Sequence, residues 1–156
     1  MHPRFSAVAE SLHGSYERLL ASMPMEEGYR WPREKVRGVY LFSEGGRDLY
    51  VGRTNDFRGR YGRHCDPGAS HRMAAFAFRL AREATGNLKA TYRAGEGSRD
   101  ALAIDPVFSE SFRDAKARIR AMDFRWVEER DSVRQCLLEV YVAVVLQTPY
   151  NDFDNH

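Results

Sequence analysis

The chain has 156 residues, of which 43% are hydrophobic and 29% charged, and its formal net charge is +2. This composition is typical of a globular protein, and the length suits one domain that buries roughly two-thirds of its unfolded surface. No run reaches the roughly 18 apolar residues of a membrane span, and the N-terminus lacks a secretion-signal pattern, so we expect no membrane partner and a cytoplasmic location. The two cysteines, Cys65 and Cys136, form no metal-binding cluster.

Hydrophobic spacing predicts the first elements in chain order. Apolar residues three and four apart predict an amphipathic helix over residues 4–22. Two strand-like segments, 36–44 and 48–55, are joined by a Gly-Gly turn and predict a β-hairpin. Thr54 or Asn55 is then expected to cap a short helix that ends at Cys65.

The middle of the chain predicts a second helix and then a long polar stretch. Ser70 is expected to cap a helix that runs to Thr85 and stops at Gly86. Its inward-facing residues would be Met73, Phe76, Ala77 and Leu80. Residues 87–105 are polar and rich in glycine, which is typical of a loop or an insertion.

The last part of the chain predicts a helix, a strand and a final helix. Asp105 followed by Pro106 is a helix-start signal, and residues 124–128 suggest a third strand. Asp131 or Ser132 would open the last helix, which Pro149 would close. Together these elements predict a small α+β domain.

Arginine dominates the basic residues: 21 of the 24 lysines and arginines are arginine. A guanidinium group binds phosphate oxygens in pairs, which lysine cannot do. A codon preference would give the same count, so the positions of the arginines are more informative than their number.

The hairpin carries Gly38-Val39-Tyr40 on its first strand and Tyr50-Val51-Gly52 on its second. Since side chains alternate along a strand, the two tyrosines can face the same side of the sheet. Ordinary cross-strand packing would explain such a pair equally well.

A basic helix follows the second strand. After Arg53 and Thr54 come four basic or titratable residues: Arg58, Arg60, Arg63 and His64. Arg60 and His64 are four residues apart and therefore share a helix face. A solvated basic helix is the simpler alternative.

Glu139 is the one charged residue in the apolar run 136–146. A buried carboxylate without a partner costs several kcal/mol or becomes protonated. Glu139 therefore either points to water or has a specific partner, such as a cation.

These positions together resemble the GIY-YIG nuclease family. The resemblance rests on GVY, on LYVGRT, on Arg60 and His64, on the helical Glu139, and on Asn151 in TPYN. It covers roughly residues 36–153, and valine replaces isoleucine in both tripeptides. The resemblance implies residues 1–32 as an N-terminal helical extension and 33–156 as a GIY-YIG-like nuclease domain with an insertion at about 87–121. It also implies a three-stranded sheet flanked by helices.

The function that the resemblance implies is a metal-dependent endonuclease that uses one Mg²⁺ or Mn²⁺ ion and acts on nucleic acid, with DNA as the expected substrate. Glu139 would be the metal ligand, since Mg²⁺ keeps several waters and needs only one or two carboxylates. Arg60 would clamp phosphate oxygens, Tyr50 would orient water or phosphate, and Asn151 would hold the Glu139 helix or the substrate backbone. Arg53, Thr54, Arg58 and Arg63 are the candidates for nucleic-acid binding.

The general base is open between two residues. Tyr40 would accept or relay the proton of the attacking water, with help from neighbouring cations because its ordinary pKa is about 10. His64 could supply that charge or be the base itself, because histidine ordinarily titrates near pH 7.

The alternative function is a nucleic-acid-binding module of the same fold that does not cleave. The nuclease hypothesis further predicts that Tyr40, Tyr50, Arg60, His64 and Glu139 converge on one concave surface. The sequence leaves the target and the oligomeric state open.

Overall fold

The computed structural model describes residues 1–87 and 94–153. It is an α+β structure with one three-stranded antiparallel sheet, as the sequence predicts, and six helices in those residues, one more than the sequence predicts. The elements in chain order are α1 (Pro3–Ala21), β1 (Gly38–Glu44), β2 (Arg47–Thr54), α2 (Phe57–Cys65), α3 (Ala75–Thr85), α4 (Arg99–Ile104), α5 (Pro106–Arg120), β3 (Asp123–Glu128) and α6 (Ser132–Leu146).

The chain divides into two compact units. The first consists of Met1–Arg58 together with Met122–His156, and the second is Gly59–Ala121. The first unit contains the whole sheet, α1 and α6. The second contains most of α2 and all of α3, α4 and α5, so the stretch predicted as an insertion lies inside it.

The sheet of the first unit has the strand order β2-β1-β3, so β1 is central and β2 is an edge strand. Tyr40 of β1 lies opposite Gly52 on one side and opposite Trp126 on the other. Because side chains alternate along each strand, this register gives the sheet one aliphatic and one aromatic face.

The aliphatic face is covered by α1 and α6. Its buried cluster contains residues from all three strands and both helices: Leu12, Leu19, Val39, Leu41, Val51, Val127, Leu138, Val142 and Ala143. The N-terminal helix, which the sequence set apart as an extension, therefore contributes to the same core as the sheet.

The aromatic face carries tyrosine, phenylalanine and tryptophan rings in mutual contact. Tyr40 is fully buried there, with ring centroids 5.8 Å from Phe42 and 5.5 Å from Phe124. Trp31, from the segment before β1, adds to this layer at 5.4 Å from Trp126. The segment is tied to the sheet by a hydrogen bond from the Met25 N–H to the Phe124 carbonyl oxygen, 2.8 Å.

The second unit has its own core and a buried lysine. Phe78, Ala81, Leu102 and Phe108 form a buried cluster. Lys116 of α5 is buried and donates to the Pro67 carbonyl at 2.5 Å and to the Ala69 carbonyl at 2.9 Å. These bonds fix the turn after α2, because buried carbonyl groups need a donor.

Several helix starts follow the predicted chemistry. The Asp105 side chain accepts from the Phe108 N–H and Pro106 is the first residue of α5. Asp131, the first of the two predicted residues, caps α6 through the Arg134 N–H. Gly86 ends α3 in the left-handed conformation, with φ 72°.

Other predicted boundaries are wrong. The third helix begins at Ala75 without a side-chain cap, because Ser70 instead begins a turn through its carbonyl oxygen, and Met73 is 51% exposed. The stretch predicted as a loop contains α4, which Ser98 caps; residues 88–93 of that stretch lie outside the described residues. The last helix, by contrast, ends at Leu146, with Gln147 as its left-handed C-cap at φ 51°, so its end lies just before Pro149 as predicted.

No helix in residues 1–87 and 94–153 has the length and apolar character needed to cross a membrane.

Candidate active site

Tyr40 lies in the middle of β1, and its ring crosses over Gly52 of β2. A methyl group at position 52 would collide with the Tyr40 hydroxyl oxygen and with Cζ of the ring. The glycine of the YVG tripeptide is therefore explained by packing: its missing side chain leaves room for the ring to reach across β2. The phenol hydroxyl is directed toward the edge strand as a result.

The glycine of the GVY tripeptide has a different neighbour. A methyl group on Gly38 would collide with the Val127 carbonyl oxygen on β3 and would come within 2.8 Å of the Glu129 backbone nitrogen. Both glycines of the motif thus allow close approaches: Gly52 makes room for the Tyr40 ring, and Gly38 lets β1 lie close to the backbone at the end of β3.

Tyr50 shares the aromatic face with Tyr40, as the alternation of side chains predicted. Phe42 is its partner across the strand pair, and the two tyrosine ring centroids lie 6.3 Å apart. Tyr50 is half-buried whereas Tyr40 has no exposed surface. Of the two phenols, Tyr50 is therefore the one that solvent reaches.

Glu139 has a cationic partner. Its Oε2 accepts from Nε of Arg53 at 3.1 Å, and 19% of the Glu139 side chain is exposed, compared with 47% for Arg53. Of the two alternatives from the sequence, the structure therefore agrees with the second, since the carboxylate is mostly buried and its partner is a cation, Arg53. Arg53, predicted to bind nucleic acid, is engaged in this ion pair.

Asn151 is bound to the backbone of β2. Its Oδ1 accepts from the Val51 N–H at 2.9 Å, and its Nδ2 donates to the Val51 carbonyl at 2.8 Å. Thr148 also donates its hydroxyl to Oδ1, at 2.8 Å. Because both ends of the amide group bind β2, Asn151 is a positioning residue that fastens the segment after α6 to the edge strand.

Three consecutive residues of β2 therefore each hold one motif residue. Val51 binds Asn151 through its backbone, Gly52 accommodates the Tyr40 ring, and Arg53 binds Glu139. The tyrosine rings and α6 lie on opposite faces of the sheet, so these groups do not share one face. They are gathered around the edge strand.

Within the first unit the expected single surface is wrong, because Tyr40 and Tyr50 lie on the aromatic face and α6, which carries Glu139, packs on the aliphatic face. Arg60 and His64 belong to the second unit, so their place relative to these residues stays a prediction. His64 is fully buried, and its ring centroid lies 6.4 Å from that of Phe76. Burial, and after it the charges of Arg60 and Arg63, lower the pKa of His64 to about 3. The idea that His64 titrates near pH 7 is therefore wrong: its imidazole is neutral there and supplies no positive charge to Tyr40.

The other predicted contacts to nucleic acid differ in exposure. Arg58 and Arg63 are exposed, and Nε of Arg63 donates to the Gly59 carbonyl at 3.3 Å. The Thr54 hydroxyl accepts from the Asp56 N–H at 3.0 Å. Because α2 begins at Phe57, this bond orders the turn before the helix and is not the predicted helix cap.

Glu139 could serve as the single carboxylate ligand of a metal ion whose other ligands are water molecules. In residues 1–87 and 94–153 no group of three or more His, Cys, Asp and Glu side chains is arranged to hold a metal. Mg²⁺ can bind through one carboxylate and its own waters. Arg53 already binds one carboxylate oxygen of Glu139. A metal ion could therefore bind Glu139 only if Arg53 shared or released that oxygen.

Two features of the site were not anticipated from the sequence: the Arg53–Glu139 pair and the passage of Tyr40 over Gly52. Arg53 lies 86 residues from Glu139. The alternation of side chains along β2 places Arg53 on the face that an apolar helix would cover. The Arg53–Glu139 pair could have been predicted from this alternation.

Comparison of the chain with protein-family models, with curated proteins and with solved structures found no match.

We expect Gly52→Ala to lower the free energy of unfolding by about 1–3 kcal/mol, because the buried Tyr40 ring cannot move aside without strain. In a strand with space, the same change would stabilise by about 0.5–1 kcal/mol. Urea denaturation measures the difference. Gly68→Ala is the control, since nothing lies within 4 Å of a methyl group there. The loss of stability caused by Gly52→Ala should be smaller when Tyr40 is also replaced by leucine. An equal loss in the Tyr40→Leu background would show that Gly52 is not required for packing of the Tyr40 ring.

The pKa of His64 predicts a pH-dependent stability. Its folded value of about 3 lies below the ordinary value of 6.5. The stability that neutral His64 contributes is therefore complete above its unfolded pKa and is lost as the pH falls toward 3, with a limiting slope of about 1.4 kcal/mol per pH unit. Urea denaturation of the wild type and of His64→Gln gives the difference in their free energies of unfolding. This difference should become smaller as the pH falls toward 3. Phe76→Leu changes a neutral side chain beside the same ring, so its difference in free energy of unfolding from the wild type should not vary with pH. A difference for His64→Gln that also did not vary with pH would contradict the lowered pKa of His64.

Proposed function

We propose that the protein is a divalent-metal-dependent endonuclease of the GIY-YIG type that hydrolyses phosphodiester bonds in DNA. The observation that carries the proposal is the arrangement on β2, where Asn151, Tyr40 and Glu139 contact the consecutive residues Val51, Gly52 and Arg53. Chance matches to a sequence pattern give no reason for its members to gather on one short strand. The hairpin, the helical glutamate and the C-terminal asparagine are thereby parts of one local structure.

In this proposal each residue of the first unit has a chemical task. Glu139 would hold one Mg²⁺ or Mn²⁺, which when bound supplies positive charge against the phosphate. Tyr40 would accept or relay a proton, and Tyr50, the more exposed phenol, would orient water or phosphate. Asn151 positions the edge strand and the end of α6 relative to one another.

The second unit would provide the phosphate clamp. The role of Arg60 rests on its position in the sequence pattern, and a guanidinium group suits that role because it binds two phosphate oxygens at once. His64 is neutral at ordinary pH, so the cation that favours the phenolate form of Tyr40 would have to be an arginine. A base with a pKa of about 3 is also a weak acceptor, which favours Tyr40 over His64.

The second candidate function is a nucleic-acid-binding module that does not cleave. Two observations favour it: Tyr40 has no exposed surface, and Glu139 is already neutralised by Arg53. Both are compatible with residues that only stabilise the fold. Incubating the protein with supercoiled plasmid and Mg²⁺ or Mn²⁺ separates the two functions, because only the nuclease yields nicked or linear products.

Tyr40→Phe tests the proton-transfer role while preserving the buried ring. We expect cleavage to slow by about 10²–10⁴-fold, the usual range for lost acid–base assistance, with nearly unchanged DNA affinity. Single-turnover cleavage and a binding assay without metal measure the two quantities. Tyr16→Phe, which removes a hydroxyl from α1, is the matched control and should cleave like the wild type. Cleavage at the wild-type rate by Tyr40→Phe would assign the proton transfer to another group.

The Arg53–Glu139 pair predicts opposite effects of neutralising its two members. Glu139→Gln should abolish metal-dependent cleavage and reduce the increase in Tm that saturating Mn²⁺ produces, because ligand binding stabilises only the native state. Arg53→Gln should increase Mn²⁺ affinity, since the Arg53 guanidinium then no longer competes for the carboxylate.

Thermal melts and calorimetric titration with Mn²⁺ measure both effects. Glu44→Gln, at an exposed acid of the same hairpin, is the control and should leave the metal-induced shift unchanged. Equal shifts in the wild type and Glu139→Gln, with cleavage retained, would show that Glu139 is not the ligand.

A further inference from the structure

A small cavity lies in the first unit, between the segment before β1 and the start of α2. Its volume is about 150 Å³, and it is lined by residues 31–36 and 56–58. Tyr40, Tyr50, Glu139 and Asn151 do not line it. Among the candidates from the sequence, only Arg58 does.

The walls of this cavity are held by packing and by a backbone hydrogen bond. The Phe57 N–H donates to the Val36 carbonyl at 3.0 Å, which joins the two segments that form the cavity. Trp31 packs edge-on against Tyr29 at 5.1 Å and lies tilted against Trp126 at 5.4 Å, and buried Phe57 lies 6.0 Å from Trp126. The aromatic side of the cavity is therefore formed before any ligand binds.

The size of the cavity restricts what can enter it. Sites for whole drug-sized molecules have volumes of roughly 300–1,000 Å³. At about 150 Å³ this cavity suits one planar ring system. An occupant would therefore be one ring of a larger molecule, or a single small nucleotide.

Charges at the cavity favour an anionic occupant. Three basic side chains, Arg33, Lys35 and Arg58, line it against two acids, Glu34 and Asp56. The Lys35 Nζ lies 3.9 Å from the Asp56 carboxylate, and 77% of the lysine side chain is exposed. Such a long, exposed ion pair contributes little to stability, so Lys35 can leave Asp56 and bind a phosphate group with little loss of free energy.

We propose that this cavity binds one nucleotide of a single-stranded segment, with the base against Trp31 and the phosphate at Lys35 and Arg58. Aromatic stacking beside cationic side chains is the general mode by which proteins bind single strands. This inference rests on the nucleic-acid partner of the proposed function and is independent of cleavage. It is tested without metal, so its failure and the failure of the nuclease proposal are separate results.

Intrinsic fluorescence gives a direct test, because Trp31 and Trp126 are the two tryptophans of the chain. In EDTA, a short oligothymidylate should quench the emission of the wild type in a saturable way. Trp31→Phe keeps an aromatic ring and should lose most of the quenching, although Trp126 still emits. Thymidine monophosphate should quench at higher concentration, and inorganic phosphate should not quench; quenching by the monophosphate but not by the oligonucleotide would identify a site for free nucleotides and overturn the strand proposal.

Affinity for a labelled oligothymidylate provides the second measurement. Trp31→Ala should weaken binding by about 5- to 150-fold, the effect of losing one stacked base. Lys35→Gln should reduce the slope of log affinity against log salt by about 0.7, because one phosphate contact is lost. Arg47→Gln is the matched control, since Arg47 lies at the turn of the hairpin, at the opposite end from the cavity, and it should leave both quantities unchanged.

Three further results would overturn the proposal. The first is wild-type affinity in Trp31→Ala, with folding verified by circular dichroism. The second is equal quenching in the wild type and Trp31→Phe, which also decides the matter if the alanine variant does not fold. The third is equally tight competition by an acidic peptide of the same charge, which would indicate a peptide site.

Discussion

The edge strand β2 is the constraint on which the candidate site depends. Side chains alternate along it, so Val51 faces the aliphatic core, Gly52 faces the tyrosine rings and Arg53 faces α6. An edge strand also has backbone groups without a neighbouring strand, and Asn151 satisfies those of Val51. One strand thus anchors a ring from β1, an acid from α6 and the segment that follows α6. A shift of β2 by one residue would exchange its two faces and separate all three.

The position at an edge also explains how residues on opposite faces of the sheet can belong to one site. In the interior of a sheet, the backbone separates groups on the two faces. Beyond the edge strand β2 the described residues contain no further strand, so side chains from both faces can reach the same border. The Tyr40 ring crosses to this border over Gly52, whereas Glu139 reaches it from α6 through Arg53. The absent side chain at Gly52 is therefore as important to the arrangement as any functional group.

The sequence predicted the features that local chemistry determines. The hairpin, the three strands, the common face of the tyrosines and the caps at Asp105 and Asp131 all follow from spacing and short-range signals. Features that depend on tertiary contacts were missed. The Arg53–Glu139 pair joins residues 86 positions apart, and the lowered pKa of His64 comes from burial that its polar neighbours in sequence do not suggest. Short α4 was missed because its polar surroundings hide a six-residue helix.

The partner of Glu139 bears on how folding and metal binding are related. A carboxylate that is four-fifths buried needs a cation, and either a guanidinium group or a divalent ion can supply it. Because Arg53 already does so, the apolar helix α6 can pack on the sheet before any metal arrives. This differs from structural metal sites, where the free energy of metal binding is also the free energy of folding. In the proposed metal site, a divalent ion would have to compete with this arginine, so the strength of the ion pair would set the metal concentration at which Glu139 exchanges one cation for the other. Loss of that ion would leave the fold intact, because Arg53 would balance the carboxylate again.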